Sequence, residues 1–332
     1  MLLSDFDYNL PEENIAKNPP KIRGTSRLLV LDRQTGEIQD SFYKDLPDFL
    51  KEGDLIILND TRVMRSRLFC QLPDGRPREL VVLEKHASEP DRVMYRGKLH
   101  ENDILTTDNY EIRVTEILGN GIAEVQSDTP LADIAEAVGS VPLPPYLHRD
   151  ATPEDIKRYQ TIWAKNMGSA AAPTASLNMT KETLQKLEDK GVIIKYLTLH
   201  VGLGTFLPIR TDKVEDHEMH SEWFSIPEDT LAEIKQAQSE NRRIIALGTT
   251  VARTLEYYGQ TGKTEGEDDI FIYPGYDFKV INALLTNFHA PKSTVLMLTS
   301  AFAGWDKLKP AYEHAIKNNY RLLSYGDSMF IH

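Results

Sequence analysis

Three apolar runs in the second half of the chain, at 192–201, 243–247 and 282–288, each stop at a cluster of polar residues, and helical patterns at 227–241, 249–258 and 292–303 are interleaved with them. Apolar runs separated by helix-length segments bury both faces of a sheet when most strands run parallel, because each helix carries the chain back to the starting edge. Thr180 is placed to cap a helix that Gly191 stops just before the first run. Leu231, Ile234 and Ala237 give the helix at 227–241 one apolar face, and a last helix covers 306–318. Near the N-terminus, Arg27-Leu28-Leu29-Val30-Leu31 and Asp54-Leu55-Ile56-Ile57-Leu58 read as buried strands.

Residues 62–128 follow another period. Short alternating segments recur at 66–72, 79–84, 93–98, 111–118 and 121–126, with the tight-turn signal Gly119-Asn120-Gly121 between the last two. This spacing suits a small barrel or sandwich. The α/β pattern resumes after Pro142-Leu143-Pro144-Pro145-Tyr146. The expected architecture is an α/β main domain with a largely parallel sheet, formed by 1–61 and 150–332, and an inserted small all-β, barrel-like domain at 62–149. The polar stretch 261–269 reads as a surface loop.

A chain of 332 residues suits two cores rather than one. Its net charge of −12 argues against a broad nucleic-acid binder, because phosphate contacts need Lys and Arg. Between Arg62 and Lys98, however, nine basic residues face five acidic ones. That excess reads equally as a docking face for one particular RNA or as a charge-protected strand edge. The single cysteine, Cys70, rules out an internal disulfide and sits in an alternating run as a small buried residue rather than a nucleophile. No apolar run approaches the ~18 residues of a membrane span. Met1-Leu2-Leu3-Ser4-Asp5-Phe6-Asp7 lacks the features of a signal peptide. A cytoplasmic monomer is expected.

In an open α/β sheet, ligands bind beyond the carboxyl ends of the strands. Here those ends carry His200, Thr249 with Thr250, and His289. Thr249 and Thr250 open a helix whose free N–H groups suit an anion, and Arg253 is one turn further on. Gly202 and Gly204 lack the third glycine of a dinucleotide loop, and Pro208 stands where its helix would begin, so they read as a close backbone approach to a ligand or a plain turn. His217-Glu218-Met219-His220 is one residue short of the zinc-helix spacing; acid–base work by either His is the functional reading and no metal is expected. The small-residue tract from Gly168 to Ser176 suits a wall for a flat ligand, or a loop packed under a helix.

Taken together, these pieces resemble the S-adenosylmethionine:tRNA ribosyltransferase-isomerases of queuosine biosynthesis. The matching motifs include Ser4-Asp5-Phe6-Asp7-Tyr8, Ser26-Arg27-Leu28, Asn59-Asp60-Thr61-Arg62-Val63, Tyr159-Gln160-Thr161, Ala171-Ala172-Pro173-Thr174-Ala175 and Tyr325-Gly326-Asp327, with the stretches 199–206, 217–221, 248–255 and 286–289. The resemblance implies transfer of the ribosyl part of S-adenosylmethionine to a 7-aminomethyl-7-deazaguanine at the wobble position of tRNA, giving epoxyqueuosine, adenine and methionine without a metal. It also implies an α/β domain with an inserted small β-barrel. The sulfonium acidifies the adjacent C5′ protons; a base removes one, the ylide expels adenine, the amine attacks, and methionine leaves as the epoxide closes. On this reading His200, His217, His220 and His289 include the acid and base. Ala172, Pro173, Thr174, Gly202, Gly204, Thr249, Thr250 and Arg253 bind S-adenosylmethionine, while Arg27, Arg62, Asn178 and Asp327 contact the tRNA substrate.

The chain departs from the family where Ala-Gly-Leu-His-Phe-Thr is usual and it has Ala175-Ser176-Leu177-Asn178-Met179-Thr180. Asn178 cannot take a proton near neutral pH. The alternatives are a tRNA-binding relative with lost or altered catalysis and an α/β enzyme acting on another nucleoside.

Overall fold

The computed structural model describes residues 1–83, 90–119, 121–202 and 209–332. The expected tight turn at Asn120, the last residue of the expected 79–84 strand and the Gly204 loop lie outside the described residues. The chain begins with the hairpin β1 (Arg27–Leu31) and β2 (Ile38–Phe42), then β3 (Leu55–Asn59) and the short β4 (Thr61–Val63). Six strands follow: β5 (Arg67–Gln71), β6 (Pro77–Val82), β7 (Asp91–Arg96), β8 (Ile104–Thr107), β9 (Tyr110–Gly119) and β10 (Ile122–Gln126). They close into an antiparallel barrel in the order β10-β7-β6-β5-β8-β9. Closure removes the exposed edges that so short a set of strands would otherwise present. Leu68, Cys70, Leu80, Ile112 and Ala123 alternate into its core. Helix α1 (Leu131–Val138) covers that core with Leu131, Ile134 and Ala135. Arg67 and Ser140 exchange backbone hydrogen bonds of 3.0 and 2.8 Å, so the chain enters and leaves the barrel at one point.

The second half runs α2 (Pro153–Arg158), β11 (Asn166–Ser169), α3 (Lys181–Asp189), β12 (Ile193–Leu199), β13 (Glu222–Ser225), α4 (Glu228–Ser239), β14 (Ile244–Leu247), α5 (Thr249–Thr261), β15 (Glu265–Asp268), β16 (Ala283–Asn287), α6 (Thr294–Ala303), α7 (Trp305–Lys317) and β17 (Ser328–Ile331). Among the described residues one nine-stranded sheet has the order β15-β13-β12-β3-β14-β16-β17-β1-β2. The central strands β12, β3, β14 and β16 are parallel. All five residues of β3 and of β16 are buried, as strands covered on both faces require. Strand β17 turns antiparallel to β16 and pairs in parallel with β1. Thr180 caps α3 by accepting from the Thr183 N–H at 3.1 Å.

Three expectations change. The barrel has a sixth strand, β8, whose four residues are too few to display a period. Arg62 and Val63 sit in β4, which pairs with β11 rather than with the barrel. The stretch 261–269 is not all loop: Glu265–Asp268 form β15, antiparallel to β13, with Asp268 fully buried. Among the described residues no helix is long and apolar enough to cross a membrane.

Candidate active site

The carboxyl ends of β12, β14 and β16 open on one side of the sheet, and a cleft of about 350 Å³ lies there. Gly248 ends β14 with φ +98°, a conformation that favours glycine, and turns the chain into α5 so that Thr249 and Thr250 line the cleft. Beyond β16, Asn287 and His289 line it as well, and Ser293 caps α6 by accepting from the Leu296 N–H at 3.2 Å. Two helix N-termini, each with partial positive charge, therefore border one cavity. Ala172, Pro173 and Thr174 lie in the loop after β11 and supply further wall, as the small-residue tract suggested. Thr174 donates to Asn287 Oδ1 at 2.9 Å, tying that loop to the end of β16.

Of the four expected histidines, only His289 lines the cleft. Its Nε2 is 2.9 Å from Thr286 Oγ1, its backbone N–H donates to the Tyr312 hydroxyl at 2.8 Å, and its carbonyl accepts from Tyr8. Burial lowers its pKa to about 3, so the imidazole is neutral at physiological pH. A neutral imidazole can accept a proton or share a hydrogen bond, but no imidazolium is present to act as a general acid. His200 is buried beneath the cleft, with Nδ1 2.8 Å from Thr61 Oγ1 and its ring stacked on Trp223 at 5.1 Å. Gly168 is required beside it, because a Cβ there would stand 2.6 Å from the imidazole. His217 packs edge-on against Phe271 at 5.1 Å, and His220 is exposed. These three imidazoles are corrected out of the cleft lining: each sits on an adjoining strand or loop rather than at the end of β14 or β16.

Arg253 also departs from expectation. It is buried, pairs with Glu222 at 2.8 Å and Asp268 at 3.3 Å, and donates to the carbonyls of His220 and Asp268. Its charge neutralises β13 and β15 carboxylates instead of standing open to an anion. Burial nevertheless raises Asp268 to about 6. Glu222 accepts from the Gly202 N–H at 2.8 Å, so Gly202 serves this network and not the cleft. Above it a smaller cavity of about 40 Å³ adjoins the cleft, sharing Thr249, Thr250 and Val295 with it.

The residues expected at the RNA substrate lie elsewhere too. Asn178 is buried, accepts from Ser26 Oγ at 2.8 Å and donates to the Gly326 carbonyl at 2.9 Å and Ser328 Oγ at 3.3 Å. Asp327 accepts from the backbone N–H groups of Arg27 and Arg321 at 2.8 and 2.7 Å. Arg27 lies over the Tyr320 ring at 3.7 Å and donates to Asn318 and Asp40. All three join β1, β17 and the α3 start. Arg62 alone is exposed, 3.7 Å from Glu136.

The cleft also contains residues that were not singled out. Tyr146, Tyr159, Asn287, Lys292 and Ser324 line it. Lys292 has φ +58°, unusual for a side chain with a Cβ, and pairs with Asp7 at 2.6 Å. Asn287 and Lys292 flank His289 in sequence, so the position of the strand end was the available signal. Tyr146, Tyr159 and Ser324 come from distant loops; Tyr146 ends the proline-rich stretch and Tyr159 opens the motif Tyr159-Gln160-Thr161, but no strand end or periodicity marks any of the three as lining a cleft.

A cleft at the carboxyl ends of parallel strands, bordered by two helix N-termini and a neutral histidine, is the candidate site of an α/β enzyme. The profile of the family described as "Queuosine biosynthesis protein" matches residues 3–331. The S-adenosylmethionine:tRNA ribosyltransferase-isomerase of Pelodictyon phaeoclathratiforme is 53% identical over 340 residues, covering 100% of both chains. The Francisella tularensis protein of the same name is 45% identical over 339 residues, again covering 100% of both. The crystal structure of the S-adenosylmethionine tRNA ribosyltransferase from Thermotoga maritima is similar with a TM-score of 0.58 at 30% identity, over 99% of this chain and 100% of that one. The chain belongs to the S-adenosylmethionine:tRNA ribosyltransferase-isomerase family of queuosine biosynthesis.

Proposed function

We propose that this enzyme transfers and isomerises the ribosyl group of S-adenosylmethionine onto a 7-aminomethyl-7-deazaguanine at the wobble position of tRNA, yielding epoxyqueuosine, adenine and methionine. Full-length identity of about half to relatives of that name carries the reading. The cleft supports it, because it combines a wall of small residues for a heterocycle with helix N-termini for a carboxylate. We read 62–149 as an inserted unit and 1–61 with 150–332 as the unit that holds the reaction, in the cytoplasm.

His289 takes the role of base. The sulfonium next to C5′ makes its protons acidic, and the neutral imidazole receives one. The carbanion forms a C4′=C5′ double bond as the C4′–O4′ bond breaks, and the freed oxygen becomes a carbonyl at C1′ as the bond to adenine breaks; adenine leaves with the proton carried by His289. The aminomethyl nitrogen adds to C1′ and loses a proton, and the oxygen there returns to C4′, which restores the carbanion at C5′. The C1′–O4′ bond then breaks to an iminium, C5′ bonds to C1′ to close the five-carbon ring, and the oxygen left on C4′ displaces methionine from C5′ to form the epoxide. Thr249, Thr250 and Ser293 hold the methionine carboxylate at the two helix N-termini. Asn178 has no place in proton transfer, since both its amide groups are hydrogen-bonded away from the cleft. That placement favours catalysis over the alternative of a tRNA-binding relative that has lost the reaction. Incubation with S-adenosylmethionine and precursor tRNA tests the assignment. Adenine release that depends on both substrates is expected; tRNA binding without adenine release would return the reading to the inactive relative.

A further inference from the structure

Among the polar side chains of the cleft that the reaction sketched above does not use, Tyr159 stands apart. Tyr159 is fully buried and lines the cavity; the backbone N–H of Ala172 faces its oxygen, yet its hydroxyl proton has no acceptor among the described residues. A buried hydroxyl proton left without an acceptor is costly, and such groups are rare unless a ligand or water completes them. The ring is held firmly in this position. It follows directly after α2, and its N–H donates to the Asp155 carbonyl at 2.7 Å. It stands edge-on to Tyr325 at 5.8 Å, and the Tyr325 hydroxyl donates to Asp155 Oδ1 at 2.7 Å. Arg149 grips the same carboxylate through two bonds of 2.7 and 2.8 Å. An anchor this well connected fixes the phenol at the wall of the cavity.

The chemistry around that oxygen differs from the rest of the cleft. Tyr159 shares its apolar cluster with Ala172 and Tyr325. The first turns of α5 and α6 belong to a different cluster and border the small adjoining cavity, which Tyr159 does not touch. The helix N-termini suit an anionic group. The region of Tyr159 and the alanine loop suits an uncharged heterocycle with polar atoms on its edge.

We infer that the Tyr159 hydroxyl is a substrate contact that hydrogen-bonds the adenine edge of S-adenosylmethionine and selects for it. This rests on the reading of the cleft as the S-adenosylmethionine site. Burial raises the phenol far above its usual range, so it stays protonated and serves as a hydrogen-bond donor rather than as a proton source. A donor on the adenine ring also favours its departure, because charge accumulates on the ring nitrogens as the bond to C1′ breaks.

Tyr159→Phe removes only the oxygen. In the ligand-free protein at most the contact with the Ala172 N–H is lost, so the melting temperature should stay within a few degrees of the parent. S-adenosylmethionine binding, followed by calorimetry, should weaken about tenfold, the usual size for one hydrogen bond to a buried group. Inhibition of the reaction by free adenine should weaken in parallel, while inhibition by free methionine should stay unchanged. Unchanged S-adenosylmethionine affinity in the variant would overturn the inference, as would equal losses for adenine and methionine. Failure of the parent protein itself to bind S-adenosylmethionine would instead overturn the underlying assignment of the cleft.

Discussion

His289 carries the sharpest residue-scale consequence. Its imidazole moves from about 6.5 in the unfolded chain to about 3 in the folded one because it is buried. Between those values the unfolded chain binds more protons, so this contribution is fully present above about pH 6.5 and is lost as pH falls toward 3. The loss between pH 6.5 and 4.5 is about 2 kcal/mol from this group alone. In His289→Gln, which keeps a hydrogen bond to Thr286 but no titrating ring, urea unfolding at the two pH values should show a decline smaller by about that amount. Identical declines in both proteins would mean that His289 titrates normally. The same variant should lower the rate of adenine release by ~100-fold or more, as removal of a general base does. Asn178 is the contrasting residue. Asn178→Ala strands the Ser26 hydroxyl and the Gly326 carbonyl, and urea titration should show a loss of about 2 kcal/mol. The KM for S-adenosylmethionine should stay near the parent value; a large rise would place Asn178 in the site after all.

At the scale of elements, Arg253 joins α5 to β13 and β15, and its removal should be felt across all three. Arg253→Ala leaves Glu222 and Asp268 buried without their cation, and a loss of about 3–5 kcal/mol is expected by thermal or urea unfolding. A loss below 1 kcal/mol would show the carboxylates to be neutralised some other way. This network also marks where the sequence stops being legible. The helices and central strands are read correctly because apolar residues recur at the helical period or in unbroken runs, as in Leu55–Asn59. Glu265–Asp268 has no such pattern; an edge strand needs backbone partners rather than apolar side chains, and its one inward residue is the acid that meets Arg253. The candidate site divides in the same way. Thr249, Thr250 and His289 follow directly on strand ends and are therefore visible. His200, His217 and Arg253 look equally polar in sequence, and only three-dimensional packing shows that their partners are Thr61, Phe271 and two carboxylates. Tyr159 reaches the cleft from a helix end far from any strand, which no local pattern encodes.

For the whole molecule, the unresolved tension in the sequence was an acidic chain with a basic stretch. Most of that stretch is neutralised internally. Arg67 pairs with Glu79 at 2.8 Å and Asp150 at 3.1 Å, Arg76 with Asp74 at 2.6 Å, and Arg92 with Glu124 at 3.3 Å. Arg62 and Arg65 converge on Glu136 at 3.7 and 3.9 Å. Most of these pairs lie on a barrel whose closed sheet holds them in fixed positions, so among the described residues this stretch offers tRNA few cations free of a carboxylate, and the net charge of −12 opposes long-range attraction. A protein that neutralises six to ten phosphates loses about 10³- to 10⁵-fold in affinity between 50 and 200 mM salt. For the tRNA binding proposed above, about three phosphate contacts are expected, and the Kd measured by fluorescence anisotropy should rise by ~50-fold or less over that range. Recognition would then rest on the shape of the anticodon loop and on the base that enters the cleft. Arg62→Ala should weaken binding and reduce the salt slope by about one, as loss of a single phosphate contact does. A rise in Kd of 10³-fold in the parent protein would mean that the arginine–carboxylate pairs open on binding and that the barrel meets the RNA as a basic face.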